Sequence, residues 1–134
     1  MNISKFTQKS VQAVQDLEKV AYEYGNQEIE EEHLLYALLT QEDSLILKLI
    51  EKMEIQKEYF IDTVKKALDA KVKVSGGELR FGQYLNKALV SAEDEAKAMG
   101  DEYVSVEHLF LSMLKNPSPS MKKIFNEFGI TRER

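Results

Sequence analysis

Apolar residues recur along this chain in steps of three and four. Phe6, Ala13, Val14, Leu17, Val20, Ala21 and Tyr24 fall on one face of a helix. Gly25 follows, and glycine suits the left-handed residue that ends a helix. Leu85, Ala88, Leu89, Ala92, Ala96 and Met99 repeat the pattern, and Gly100 stops it. Shorter apolar periods predict second helices over Glu32 to Leu39 and Ser105 to Leu114. Third helices are predicted over Leu45 to Met53 and Ser120 to Phe128, and a fourth over Lys57 to Ala70. Ser105 is a good N-cap, and Glu107 lies in a first turn, where the helix dipole favours an anion.

These elements are two copies of one unit. Shifted by 75 positions, Phe6 to Ile55 lies on Phe81 to Ile130 without a gap, and 12 of the 50 positions are identical. Glu32, His33, Leu34 and Leu39 fall on Glu107, His108, Leu109 and Leu114. The predicted fold is all-α: a pseudo-two-fold bundle of two tandem four-helix repeats, the second truncated before its fourth helix. One domain is expected over 1–134, with repeat one at 1–70, a linker at 71–80 and repeat two at 81–134. Ser75-Gly76-Gly77 marks a turn in that linker. A single repeat cannot bury its apolar faces alone, so the two should pack together.

Composition narrows the function classes. The net charge of −5 disfavours nucleic acid. The absence of cysteine removes disulfides, thiolate zinc sites and cysteine nucleophiles. Met1 to Ser10 lacks the apolar run of a signal peptide, and no stretch is apolar enough to span a membrane. No phosphate-binding G-x-x-x-x-G-K-[ST] loop occurs, and no G-x-S-x-G nucleophile turn. The two histidines, His33 and His108, stand at equivalent positions. Metal ligation needs further ligands at fixed spacing, so each is expected to hydrogen-bond near a helix start. Glu28 and Glu30 to Glu32 read as a solvated, dipole-complementing run, and Lys71 and Lys73 as loop solubilisers.

The ordered set of Glu32-His33-Leu34-Leu35, Glu107-His108-Leu109-Phe110, Asn26 to Glu30, the Val74 to Gly77 junction and Gly100 to Ser105 carries a family resemblance. The chain resembles the N-terminal Clp repeat domain of ClpB-type AAA+ chaperones. The ClpC type, which feeds a protease, shares the repeat and stays open. The resemblance implies a cytoplasmic hexameric parent, with ATP and magnesium held on modules outside this chain, and an N-domain that is monomeric in isolation. It implies capture of unfolded or aggregated polypeptide, or of adaptor proteins, in work shared with a DnaK-type chaperone. No cofactor and no catalytic residue is expected in the chain itself.

By motif match to the ClpB type, the substrate-contact residues are Thr7, Asp101 and Glu107. The ClpC type binds phosphorylated arginine through a Thr and a Glu in each repeat. Thr7 and Glu32 fit that set in repeat one; in repeat two Glu107 fits, but Gly82 stands at the Thr position. An exposed apolar groove for unfolded clients would draw on Leu89, Phe110, Tyr103 and Met113. A free-standing helical adaptor without an ATPase is the reading of a different class.

Overall fold

The computed structural model describes residues 3–132; the two outermost positions at each end of the expected 1–134 domain lie outside the described residues. A short 3-10 turn, Ile3–Lys5, leads into α1 (Gln8–Glu23), β1 (Glu28–Ile29), α2 (Glu31–Leu39), α3 (Leu45–Lys52) and α4 (Lys57–Asp69). Repeat two brings β2 (Arg80–Phe81), α5 (Gln83–Ala98), α6 (Val106–Lys115) and α7 (Pro119–Glu127). The fold is all-α and two-repeat, as the periodicity predicts.

Four helices are started by a local side chain. Thr7, Ser44, Gln56 and Ser118 cap α1, α3, α4 and α7 through side-chain oxygens that accept amides of the first turn. Pro119 follows Ser118 at the first helical position, where its missing N–H costs nothing. Gly25 (φ +70°) and Gly100 (φ +74°) end α1 and α5 in the left-handed region, as expected.

The periodicity does not foresee the exchange between the repeats. β1 pairs in parallel with β2, Ile29 opposite Phe81, and Phe6 forms a parallel bridge with Val104. Under the 75-residue shift these are the same contact made twice, in opposite directions. The Thr7 amide donates to Val104 O at 3.0 Å, and the Gly82 amide to Ile29 O at 2.7 Å. The entry strand of each repeat therefore completes the turn of the other. Helices follow the same rule: α1 packs on α2 and α5 on α6, while α1 also meets α6 and α2 meets α5.

One core runs through both repeats. Leu17, Leu34, Leu38 and Phe60 join Leu85, Leu89, Leu109 and Met113 in a single buried cluster. Leu89, Phe110 and Met113 are buried in it, so they line no exposed groove; Tyr103 does stand out, with 52% of its surface exposed. The correction has a simple cause. Helical spacing marks an apolar face, and here that face is the core.

Glu54 sits at φ 62°, and its repeat-two counterpart is Gly129 at φ 65°. A side chain in this region crowds its own backbone. Glu54→Gly should raise stability by up to about 1 kcal/mol, since relief of that crowding outweighs the entropy gained by the unfolded chain. Denaturant unfolding of the variant beside the parent checks this; a loss of stability would refute the strain.

Candidate functional site

The two histidines organise the two turns that follow α1 and α5. His33 Nδ1 accepts the Glu30 amide at 2.8 Å, and His108 Nδ1 accepts the Ser105 amide at 2.9 Å. Nδ1 as acceptor puts the proton on Nε2. His33 Nε2 reaches Asn26 Oδ1 at 2.9 Å, and His108 Nε2 reaches Asp101 Oδ2 at 2.8 Å. Each ring thus ties a helix start to the residue just after the stop glycine. These are local structural bonds, as the repeat symmetry suggests, and among the described residues no group of three metal-ligating side chains exists.

Around this shared frame the repeats differ. In repeat one the turn is filled from within. Lys71, with only 12% of its side chain exposed, places Nζ 3.2 Å from Glu30 Oε2 and 3.2 Å from Glu32 Oε1. Asn26 Nδ2 donates to Val72 O at 3.0 Å, the Lys73 ammonium to Tyr24 O at 2.7 Å, and the Val74 amide to Gly25 O at 2.9 Å. Lys71 and Lys73 are therefore bound side chains, not loop solubilisers. Spacing alone could not show that the segment after α4 folds back by more than forty residues.

Glu31 and Glu32 are fully buried, which overturns the reading of a solvated acidic run. Glu31 Oε1 accepts the Ser118 amide at 2.7 Å, and Glu32 Oε2 accepts the Ser120 hydroxyl. Both carboxylates reach across from α2 to the start of α7 and join the repeats. Glu32 is thereby withdrawn as a partner-binding residue: its two oxygens already face Ser120 and Lys71.

In repeat two the same turn is open. Asp101, Glu102, Tyr103, Ser105, Glu107 and His108 line a depression of about 330 Å³. Asp101, Glu102, Tyr103 and Glu107 are exposed. Among the described residues, Glu107 is met only by the Ser105 hydroxyl, at 3.2 Å. Thr7 joins this edge through its backbone bond to Val104. Its hydroxyl is occupied, accepting the Ser10 amide at 3.2 Å and lying 2.8 Å from Ser10 Oγ. Asp101 and Glu107 thus line this depression while Thr7 is bonded to Val104 behind it, whereas Leu89 and Phe110 are buried in the core. Gly82, the counterpart of Thr7, caps α5 without a side chain. A Cβ there would come within 3.0 Å of Glu28 Oε1 and 3.2 Å of Ile29 O.

The family model for the Clp repeat (R) N-terminal domain matches residues 5–128, so the chain belongs to that family. The chain is similar to part of several ClpB chaperones. It is 39% identical over 140 residues to Chaperone protein ClpB of Nitratidesulfovibrio vulgaris, and 37% identical over 139 residues to that of Clostridium tetani. Each match covers 100% of this chain but only 16% of the relative's length. In structure it is similar to the Hsp104 N-terminal domain from Candida albicans, with a TM-score of 0.83 at 22% identity over 96% of this chain and 85% of that one. It also matches a ClpV N-domain in complex with a VipB peptide, with a TM-score of 0.75 at 21% identity over 98% of this chain and 82% of that one. No helix among the described residues is long and apolar enough to cross a membrane.

Burial gives two acid–base groups opposite effects on stability. It pushes the Glu31 carboxyl up to about 7, so its contribution is full below the unfolded value near 4.5 and is lost as pH rises through 7. Burial, aided by the Lys71 charge, holds His33 down at about 4, so its contribution is full above 6.5 and is lost as pH falls towards 4. Glu31→Gln should therefore raise the melting temperature at pH 8 relative to the parent, with the gain gone by pH 4. His33→Gln should lower it most at pH 7, and the deficit should shrink towards pH 4. Thermal unfolding across pH checks both, and pH-independent differences would contradict the assignment.

Proposed function

We propose that this domain is a client-recruiting module of a ClpB-type disaggregase. It captures unfolded or aggregated polypeptide, and cytoplasmic ATP-driven modules with bound magnesium, outside this chain, do the work of threading it. The observation that carries the reading is the unequal filling of two matched turns. Repeat one's turn is bonded to Lys71 to Val74, with a depression of about 470 Å³ beside them, while repeat two's turn meets no such segment and presents exposed acids and an aromatic ring around its own depression. A shallow, solvated surface of this kind suits weak capture and easy release. A ClpV N-domain of the same fold has been solved with a peptide bound, which supports peptide capture by this architecture. A DnaK-type partner would act through the whole parent.

The ClpC-type reading has less support. Phosphoarginine recognition in both repeats would use Glu32, which is buried and engaged, and a hydroxyl at position 82, where glycine stands.

Thr7 is a poor residue for testing capture, because Thr7→Ala removes the α1 cap and costs about 1 kcal/mol by itself. Glu107→Gln and Tyr103→Ala change exposed groups that cap no helix. Each should weaken binding of a permanently unfolded, reduced and carboxymethylated protein about threefold or more, with the melting temperature unchanged for Tyr103→Ala and only slightly lowered for Glu107→Gln, which loses a first-turn charge. Fluorescence anisotropy measures this, and undiminished binding by the double variant would remove the rim from the site. The chain alone should hydrolyse no ATP above buffer.

A further inference from the structure

Repeat one contains a bound ligand made of its own chain. Residues Lys71 to Val74 run extended past the Tyr24 to Glu32 turn and use a fixed set of contacts. Two ammonium groups meet Glu30, Glu32 and the Tyr24 carbonyl. One peptide N–H meets the Gly25 carbonyl, and one carbonyl takes the Asn26 amide. The first cation is almost wholly enclosed, and the second also lies 5.9 Å over the Tyr24 ring.

The repeat shift carries this receptor onto repeat two. Tyr24, Gly25, Asn26, Glu30 and Glu32 become Met99, Gly100, Asp101, Ser105 and Glu107. The two turns share matched left-handed glycines and matched histidine bonds, although Glu32 is buried and Glu107 exposed. Among the described residues no ion pair reaches Glu102 or Glu107, and none of Lys71 to Val74 enters the depression.

We infer that the Met99 to Glu107 turn binds an extended peptide segment with alternating basic and aliphatic residues, in the manner that the Tyr24 to Glu32 turn binds Lys71 to Val74. The inference rests on the client-capture reading and names the class of segment captured. A lysine or arginine enters against Glu107 and Ser105, and the next peptide amide but two donates to the Gly100 carbonyl. Three departures shape the specificity. Asp101 replaces Asn26, so the turn loses the amide that would grip the peptide's carbonyl; Ser105 replaces Glu30, so the carboxylates stay two in number but are placed differently; and Met99 replaces the Tyr24 ring. Recognition in repeat two therefore rests on exposed carboxylates, and it weakens with salt.

The test uses the 134-residue chain, ¹⁵N-labelled, titrated with the capped peptide Ala-Lys-Val-Lys-Val-Ser, the sequence of residues 70–75. Saturable shifts are expected at Met99 to Glu107, abolished when both peptide lysines are glutamate. Glu107→Gln should weaken the binding about fivefold, and Asp62→Asn, an exposed carboxylate elsewhere, should leave it unchanged. Shifts spread over unrelated acidic positions, or equal affinity in Glu107→Gln, would overturn the inference. So would concentration-dependent shifts at the same turn without peptide, which would assign the site to a second copy of the chain. If the unfolded protein binds but the peptide does not bind at this turn, the inference falls and client capture stands. If neither binds, both fall.

Discussion

The fold depends on a backbone exchange. Each repeat sends its entry strand into the other: Phe6 against Val104, and Phe81 against Ile29. These few hydrogen bonds satisfy amides and carbonyls that would otherwise be stranded beside a core. They also fix how the repeats face each other, which lets α1 meet α6 as α5 meets α2. Neither repeat contains a complete copy of its own turn. A shared core and a shared pair of strand contacts leave no surface along which the halves could separate cheaply.

Within that frame the twinned histidines and stop glycines do identical structural work, while the twinned glutamates Glu32 and Glu107 do not. Both histidines hold a helix start to the turn before it. The divergence lies in the positions around them. Glu31, whose counterpart is Val106, and Glu32, whose counterpart Glu107 is exposed, are drawn inward to grip the start of α7. Burying a carboxylate is costly unless it is fully bonded, and Glu31 keeps one oxygen without a hydrogen-bond partner. Glu95, buried on α5, is instead held below the usual carboxylate range by its bond to Arg132.

Much of this architecture was legible in the residues. The seven α-helices among the described residues, the left-handed stops at Gly25 and Gly100, and the twinned histidines all follow from local spacing and local backbone preference. The strand exchange was not legible, because two-residue strands leave no period to read. The fates of Glu32, Lys71, Leu89 and Phe110 were not legible either. Periodicity gives a residue's face on its own helix, whereas burial depends on what another part of the chain lays over that face. The acidic run at Glu28 to Glu32 reads as surface until the start of α7 arrives to meet it. Of the rim residues, Asp101, Glu107 and Tyr103 do stand in solvent, and their shared depression emerges only once the turn is built.

The bridge between Phe6 and Val104 also sets an order of events during synthesis. Its partners are separated by most of the chain. Residues around Phe6 must wait for Val104 before their amides and carbonyls are paired, while Phe81 meets an Ile29 that has long been available. Contacts of such separation form late and slowly. The two symmetric halves of the finished domain are therefore unequal in time: one exchange contact closes when Phe81 is made, the other only when Val104 is.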